Sequence, residues 1–276
     1  MLVLIGTVIG LVLGLTGAGG SVFAVPLLML VAGLPVSSAV GISLGAVATS
    51  TLYGSVRIML SKKGARKILW LPGAILAGTA AAAAPFGKWL GLQIPEAWIL
   101  FGFSFLASVI AVRMWLSANR QPDTAKVVRA SNYADTPTPD LLCKLGMSGQ
   151  FELRPRCLSG LIFGGIVVGL LSGLFGVGGG FLIVPLMLML SPISMAQAVS
   201  TSLVIIAVVS GSGFISYLAM NPYNNWMLLG LVAGGGILGM MIGQTISHKI
   251  ANARLQKTFA ISLLIVSGVT LMRYFL

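Results

Sequence analysis

Eight long runs of apolar residues, at about 2–33, 35–56, 68–88, 95–116, 158–191, 195–218, 226–247 and 255–275, take up most of this 276-residue chain. About 20 apolar residues are what a helix needs to cross a ~30 Å hydrocarbon layer, and inside that layer a helix satisfies its own backbone hydrogen bonds. The runs therefore predict an all-α integral membrane protein. Only 8% of the residues are charged and 57% are apolar, whereas soluble domains carry about 25% charged residues. A water-soluble enzyme, a disordered tail and a disulfide scaffold are excluded on that ground. Trp70, Trp89, Trp98, Trp115 and Trp226 fall at the ends of runs, where an amphipathic ring settles at headgroup depth. The opening MLVLIGTVIG has no basic stretch and no small-residue cleavage site, so it reads as a membrane segment and not as a secretory signal.

Sliding the sequence along itself by 159 residues aligns 10–54 with 169–213 without a gap and gives sixteen identities over 45 positions. Shared hydrophobicity does not explain them, because the Gly and Pro spacing is kept: Gly17, Gly19, Gly20 and Pro26 fall on Gly176, Gly178, Gly179 and Pro185. The chain divides into a first membrane repeat, 1–117, a polar linker, 118–159, and a second membrane repeat, 160–276.

The first run of each repeat, about 33 residues, is too long for one span and too short for two. Each is interrupted midway, by GLTGAGGS (14–21) and GLFGVGGG (173–180), stretches no helix carries comfortably, since each Gly costs about 1 kcal/mol relative to Ala. Arms of 11–15 residues reach only about 17–22 Å. The expected architecture is two inverted repeats, each a re-entrant broken-helix hairpin followed by three transmembrane helices.

Charge supports the inversion. With the N-terminus outside, 15 of the 17 Lys and Arg residues fall on the cytoplasmic side, in the 57–67 loop, the 118–159 linker with its flanks, and the 249–257 loop, leaving Lys88 and Arg273 outside. Eight full spans would instead put Lys249, Arg254 and Lys257 outside, against the positive-inside rule. A net charge of +12 is thus a topology label and not a nucleic-acid footprint. The two cysteines, Cys143 and Cys157, fall in the polar middle of the chain, and a cytoplasmic linker would keep them as reduced thiols.

Non-helical backbone at membrane depth persists only where protein buries it or a polar cavity borders it. Two such breaks in corresponding places point to the transport site of an inverted-repeat carrier. The tips expose backbone N–H groups where a second arm begins, and a helix N-terminus suits a small anion. The expected substrate-binding residues are Gly17, Gly19, Gly20, Ser21 and Ser43 in the first half and Gly176, Gly178, Gly179, Gly180 and Ser202 in the second. Pro26 and Pro185 would kink the second arms. Other hydroxyls of the following spans, among them Thr49, Ser50, Thr51, Ser200, Thr201, Ser210 and Ser212, have a plainer use, bonding back to their own helix turn. Neither tip continues into the GK[ST] of a P-loop. No Asp lies in a span, and the sole histidine, His248, stands at a span end, so no catalytic pair, proton relay, metal site or cofactor is expected. The expected partners are a small anion and the lipid bilayer, with no nucleic acid and a homo-oligomer left open.

Two copies of a Gly-rich stretch leading to Val-Pro-Leu, GLTGAGGSVFAVPLLML and GLLSGLFGVGGGFLIVPLMLML, in a chain of this length with a basic central loop, resemble the TauE/SafE family of sulfite exporters. The resemblance covers essentially the whole chain. It implies a permease of the cytoplasmic (plasma) membrane that moves sulfite, sulfoacetate or a related organosulfonate outward. Related carriers that import thiosulfate rely on membrane-embedded cysteines, which the apolar runs lack. Two other readings stand beside it: a carrier of another oxyanion or of a carboxylate, and a membrane enzyme or assembly factor in which the hairpins only pack.

Overall fold

The computed structural model describes residues 1–17, 20–61, 68–120, 144–145, 151–152, 155–191, 193, 195–220 and 226–246, with 261, 264, 265, 268, 269 and 272 near the end of the chain. The 249–257 loop, most of the linker and most of the eighth apolar run lie outside the described residues, as do Ala18 and Gly19 of the first tip.

The chain runs through α1 (Leu2–Thr16), α2 (Ser21–Ala32), α3 (Val36–Leu60), α4 (Trp70–Gln93) and α5 (Glu96–Arg120). After a short antiparallel ladder of β1 (Lys144–Leu145) on β2 (Phe151–Glu152), it continues through α6 (Pro155–Phe175), α7 (Gly180–Leu190), α8 (Met195–Met220) and α9 (Trp226–Ile246). Helices α3, α6, α8 from Gln197 and α9 are long and apolar enough to cross a membrane. The 24-residue α4 is of similar length but is built largely from Ala, Gly and Pro. The lateral surface is apolar: Phe86, Trp98, Phe105, Phe163, Ile215 and Met227 are each more than two-thirds exposed. In water such a surface would aggregate; against lipid chains it is the ordinary exterior.

Both expected breaks are present. Helix α1 stops at Thr16 and α2 starts at Ser21, while α6 stops at Phe175 and α7 starts at Gly180. The arms are unequal, at 15 and 12 residues in the first half and 21 and 11 in the second. The long arm departs from the expected 11–15 because α6 begins at Pro155, inside the stretch read as linker. Proline at the first helical position has no N–H to leave unpaired and its φ is already helical. Cys157 consequently sits in the first turn of α6 and not in a polar loop. It is fully buried and disulfide-bonded, which corrects the expectation of a reduced thiol. The β ladder sets Lys144 opposite Glu152, folding the end of the linker back on the residues that lead into α6.

The largest helix interfaces pair α1 with α9, α6 with α4, and α3 with α8. The first two are closed by glycine. A side chain at Gly10 would strike the backbone of Gly236, and one at Gly169 the backbone of Ala80. Likewise Gly14 lies against the Met240 carbonyl and the Gln244 nitrogen, and Gly173 against the Ala84 carbonyl and the Lys88 nitrogen. Small residues at this spacing let helix backbones touch, which is how helices associate where lipid leaves no hydrophobic drive. In each interface a helix that leads into a tip packs on a helix of the opposite half.

Candidate functional site

The tips owe their shape to glycine. Gly17 ends α1 with φ 73°, and its N–H returns to the Leu13 carbonyl at 2.7 Å. Gly176 repeats this with φ 68° and an N–H bond to the Ser172 carbonyl at 2.9 Å. The second tip then turns twice more, through Gly178 at φ 67° and Gly179 at φ 66°, whereas Gly20 enters α2 with an ordinary φ of −65°. A β-carbon at these positive φ values is strained whatever the space around it. Neither Gly20 nor Gly179, the residues that precede α2 and α7, carries a side chain that caps the new helix.

Each tip is held by the opposite half. The Ser43 hydroxyl, on α3, donates to the Gly176 carbonyl at 2.9 Å. The Ser202 hydroxyl, on α8, donates to the Gly17 carbonyl at 3.2 Å and to the Val199 carbonyl at 2.9 Å. Val40 and Val199 fill the space above Gly176 and Gly17 in the same crossed manner. The matched serines are fully buried, and their protons lie on tip carbonyls. Ser21 and Gly180 open α2 and α7 at buried positions, and Pro26 is buried inside α2. Pro185 lies in α7, but its side chain is outside the described residues.

Thr49, Ser50 and Thr51 follow the plainer use and bond back to carbonyls of α3. Ser212 and Thr201 reach other segments: Ser212 donates to the Ala81 carbonyl at 2.8 Å, and Thr201 accepts the Leu69 N–H at 3.0 Å. Among the described residues Ser104 Oγ, Ser172 Oγ and Ser210 Oγ are buried and have no hydrogen-bond partner, and Ser172 and Ser210 border the second tip. A β-carbon on Gly178 would collide with Ser210 Oγ, and one on Gly179 would lie 3.3 Å from the Ser172 β-carbon. Burying a hydroxyl unpaired costs about 1–3 kcal/mol, and two of the three stand beside one backbone turn. Ser172 stands within the quoted motif, at the place Leu13 holds in the first copy. A hydroxyl facing a leucine across the repeat was the signal available for it.

The chain matches the family model for sulfite exporter TauE/SafE over residues 2–271. It belongs to the TauE/SafE family. This TauE/SafE protein is 27% identical over 266 residues to a probable membrane transporter protein of Xylella fastidiosa, covering 95% of this chain and 90% of that one. It is 26% identical over 248 residues to the probable membrane transporter protein YdhB of Bacillus subtilis, with 88% of each chain covered. A probable membrane transporter protein of Methanocaldococcus jannaschii is 27% identical over 259 residues. No solved structure matches. The TauE/SafE chain is thus a membrane transporter.

Proposed function

We propose that this transporter exports a small sulfur-containing anion, sulfite, sulfoacetate or a related organosulfonate, across the plasma membrane. The substrate sits between two re-entrant tips of inverted halves. The observation that carries the reading is the pair of unpartnered hydroxyls, Ser172 and Ser210, beside Gly178 and Gly179. A tetrahedral or pyramidal oxyanion offers several acceptor oxygens to converging donors, and hydrogen bonds to a charged group contribute about 1.5–3 kcal/mol each. The Gly178–Gly180 backbone and the start of α7 add a positive dipole end. Gly17, Gly20 and Ser21, with Gly19, form the facing tip, and Ser43 and Ser202 hold the two tips across the halves.

Direction follows from charge. With the cell interior negative, one anionic charge moving outward gains about 2.3 kcal/mol per 100 mV, which drives export without a carboxylate relay. The basic loops place 57–67, 118–159 and 249–257 in the cytoplasm. The disulfide at Cys157 is the opposing indicator, since such bonds persist in oxidising compartments; the fifteen basic residues carry the assignment.

Thermal shift of the purified protein against sulfite, sulfoacetate, thiosulfate, sulfate and carboxylates tests the substrate class, and efflux from proteoliposomes under an imposed potential tests the mechanism. Stabilisation by sulfite or sulfoacetate and potential-driven efflux are expected. Stabilisation by carboxylates alone would point to the carboxylate carrier, and sulfite efflux indifferent to potential would rule out electrogenic export. Gly178→Val does not separate a carrier from a protein whose tips only pack, because a side chain at φ 67° that meets Ser210 destabilises either one. Ser210→Ala separates them: a carrier loses affinity while its fold holds.

A further inference from the structure

We infer that Lys88 is the docking cation for the substrate anion on the face of the membrane away from the basic loops. The inference rests on the anion-carrier reading above and locates a second station for the same ligand. Lys88 lies 18 residues beyond Trp70, the first residue of α4, so about 27 Å of helix rise separates it from the α4 end that follows the basic 57–67 segment of the sequence. Its side chain is 4% exposed. The ammonium stands over the Tyr217 ring, 5.1 Å from the centroid, and Tyr217 in turn stacks on Phe214 at 6.5 Å and 21°. A cation–π contact replaces only part of the hydration an ammonium loses on burial. Among the described residues no carboxylate pairs with it. A buried positive charge so placed favours any anion that can reach it.

Such an anion has room. A cavity of about 40 Å³ opens beside Lys88, lined also by Ser37, Val40, Gly91 and Leu174, larger than the 10–15 Å³ a single water requires. The cavity borders the second tip, since Val40 packs on Gly176 and Leu174 precedes that tip by two residues in the chain.

Packing does not account for the lysine. The backbone nitrogen of Lys88 rests on Gly173 as that of Gln244 rests on Gly14, so the two residues occupy matching places in the crossed interfaces. At the other place a neutral amide serves, with Gln244 Nε2 donating to the Gly54 carbonyl at 3.3 Å. The helix contact is the same, and only one end carries a charge. A strongly hydrated ammonium also suits a site that must let its anion go, where a bidentate guanidinium would hold it.

The test uses the full chain reconstituted in phosphatidylcholine vesicles, with sulfite efflux measured against sulfite concentration for wild type, Lys88→Met, Lys88→Gln, Lys88→Arg and Ser210→Ala. Loss of the charge should raise the half-saturating sulfite concentration at least tenfold in Lys88→Met and Lys88→Gln, while their melting temperatures without sulfite stay near wild type. Lys88→Arg should restore most of the affinity but turn over more slowly. Wild-type saturation in both neutral variants, with Ser210→Ala still impaired, would overturn the role of Lys88 and leave the tip site standing. A lowered melting temperature with unchanged saturation would make Lys88 a packing residue and overturn it equally. No sulfite response in wild type, when the anion panel also gives none, would overturn both readings. If the effect of Lys88→Met appeared only when phosphatidylglycerol was added, the anion at Lys88 would be a lipid phosphate and not the substrate.

Discussion

The two Gly-rich tips are one motif written twice, yet they are not the same site. At the first, a single glycine with φ 73° ends α1 and Gly20 passes into α2 at φ −65°. At the second, three glycines near φ 67° make a fuller turn, and two buried hydroxyls beside it lack partners. The matching positions of the first half are filled differently: Leu13 has no hydroxyl, and Thr51 spends its own on the Val47 carbonyl of its helix. Duplication therefore supplied a symmetric frame, and the substrate contacts proposed here gather on one side of it. A carrier needs two gates but only one binding geometry, and in the function proposed above the unpartnered donors of that geometry belong to the second tip.

Replacing hydroxyls at the second tip should have the largest effect. Ser172→Ala with Ser210→Ala should lower kcat/KM for sulfite about 100-fold or more, since each hydrogen bond to an anion is worth about 1.5–3 kcal/mol. The same double variant, freed of two unpaired buried hydroxyls, should melt no lower than wild type, and calorimetry without substrate checks this half of the statement. Next comes the clamp on each tip. Ser43→Ala leaves the buried Gly176 carbonyl unpaired and should cost about 1–3 kcal/mol of stability. Ser202→Ala removes a longer bond that is shared with Val199, so it should cost less. A reversed order would mean that the two tips are held alike.

A third variant writes the second tip into the first. Leu13→Ser should destabilise the empty protein by about 2–5 kcal/mol, as large-to-small core changes do, and sulfite should recover little of the loss because the rest of the second turn is missing. Strong rescue by sulfite would show that the first tip binds as well. Thr51→Val should be the smallest change, below about 1 kcal/mol, because a hydroxyl that bonds back to its own helix contributes little. A large transport defect there would break the asymmetry altogether.

The breaks were legible in the sequence because glycine is what a left-handed turn demands, and their spacing repeats. Ser43 and Ser202 were legible as a pair, but not as clamps, since nothing in a linear repeat tells that each reaches the other half. The start of α6 was misread because Pro155 resembles a loop residue until it is seen at the first helical position. Lys88 read as a residue at an outer helix end. Its burial depends on Gly173 drawing α6 onto α4 and on Tyr217 arriving from α8, contacts between segments far apart in the chain. Local pattern gave the elements; the chemistry of the site came from crossings between halves.

Those crossings also set a timetable. Helix α1 leaves the ribosome long before α9, which begins only at Trp226 and against which its glycine face packs. At about 5–20 residues per second, synthesis leaves roughly 10–40 s between the two. Throughout that interval the Gly6–Gly10–Gly14 groove lies open to lipid, an insertion chaperone or a neighbouring chain. The newly made transporter passes through a half-built stage in which that groove is open to mispairing.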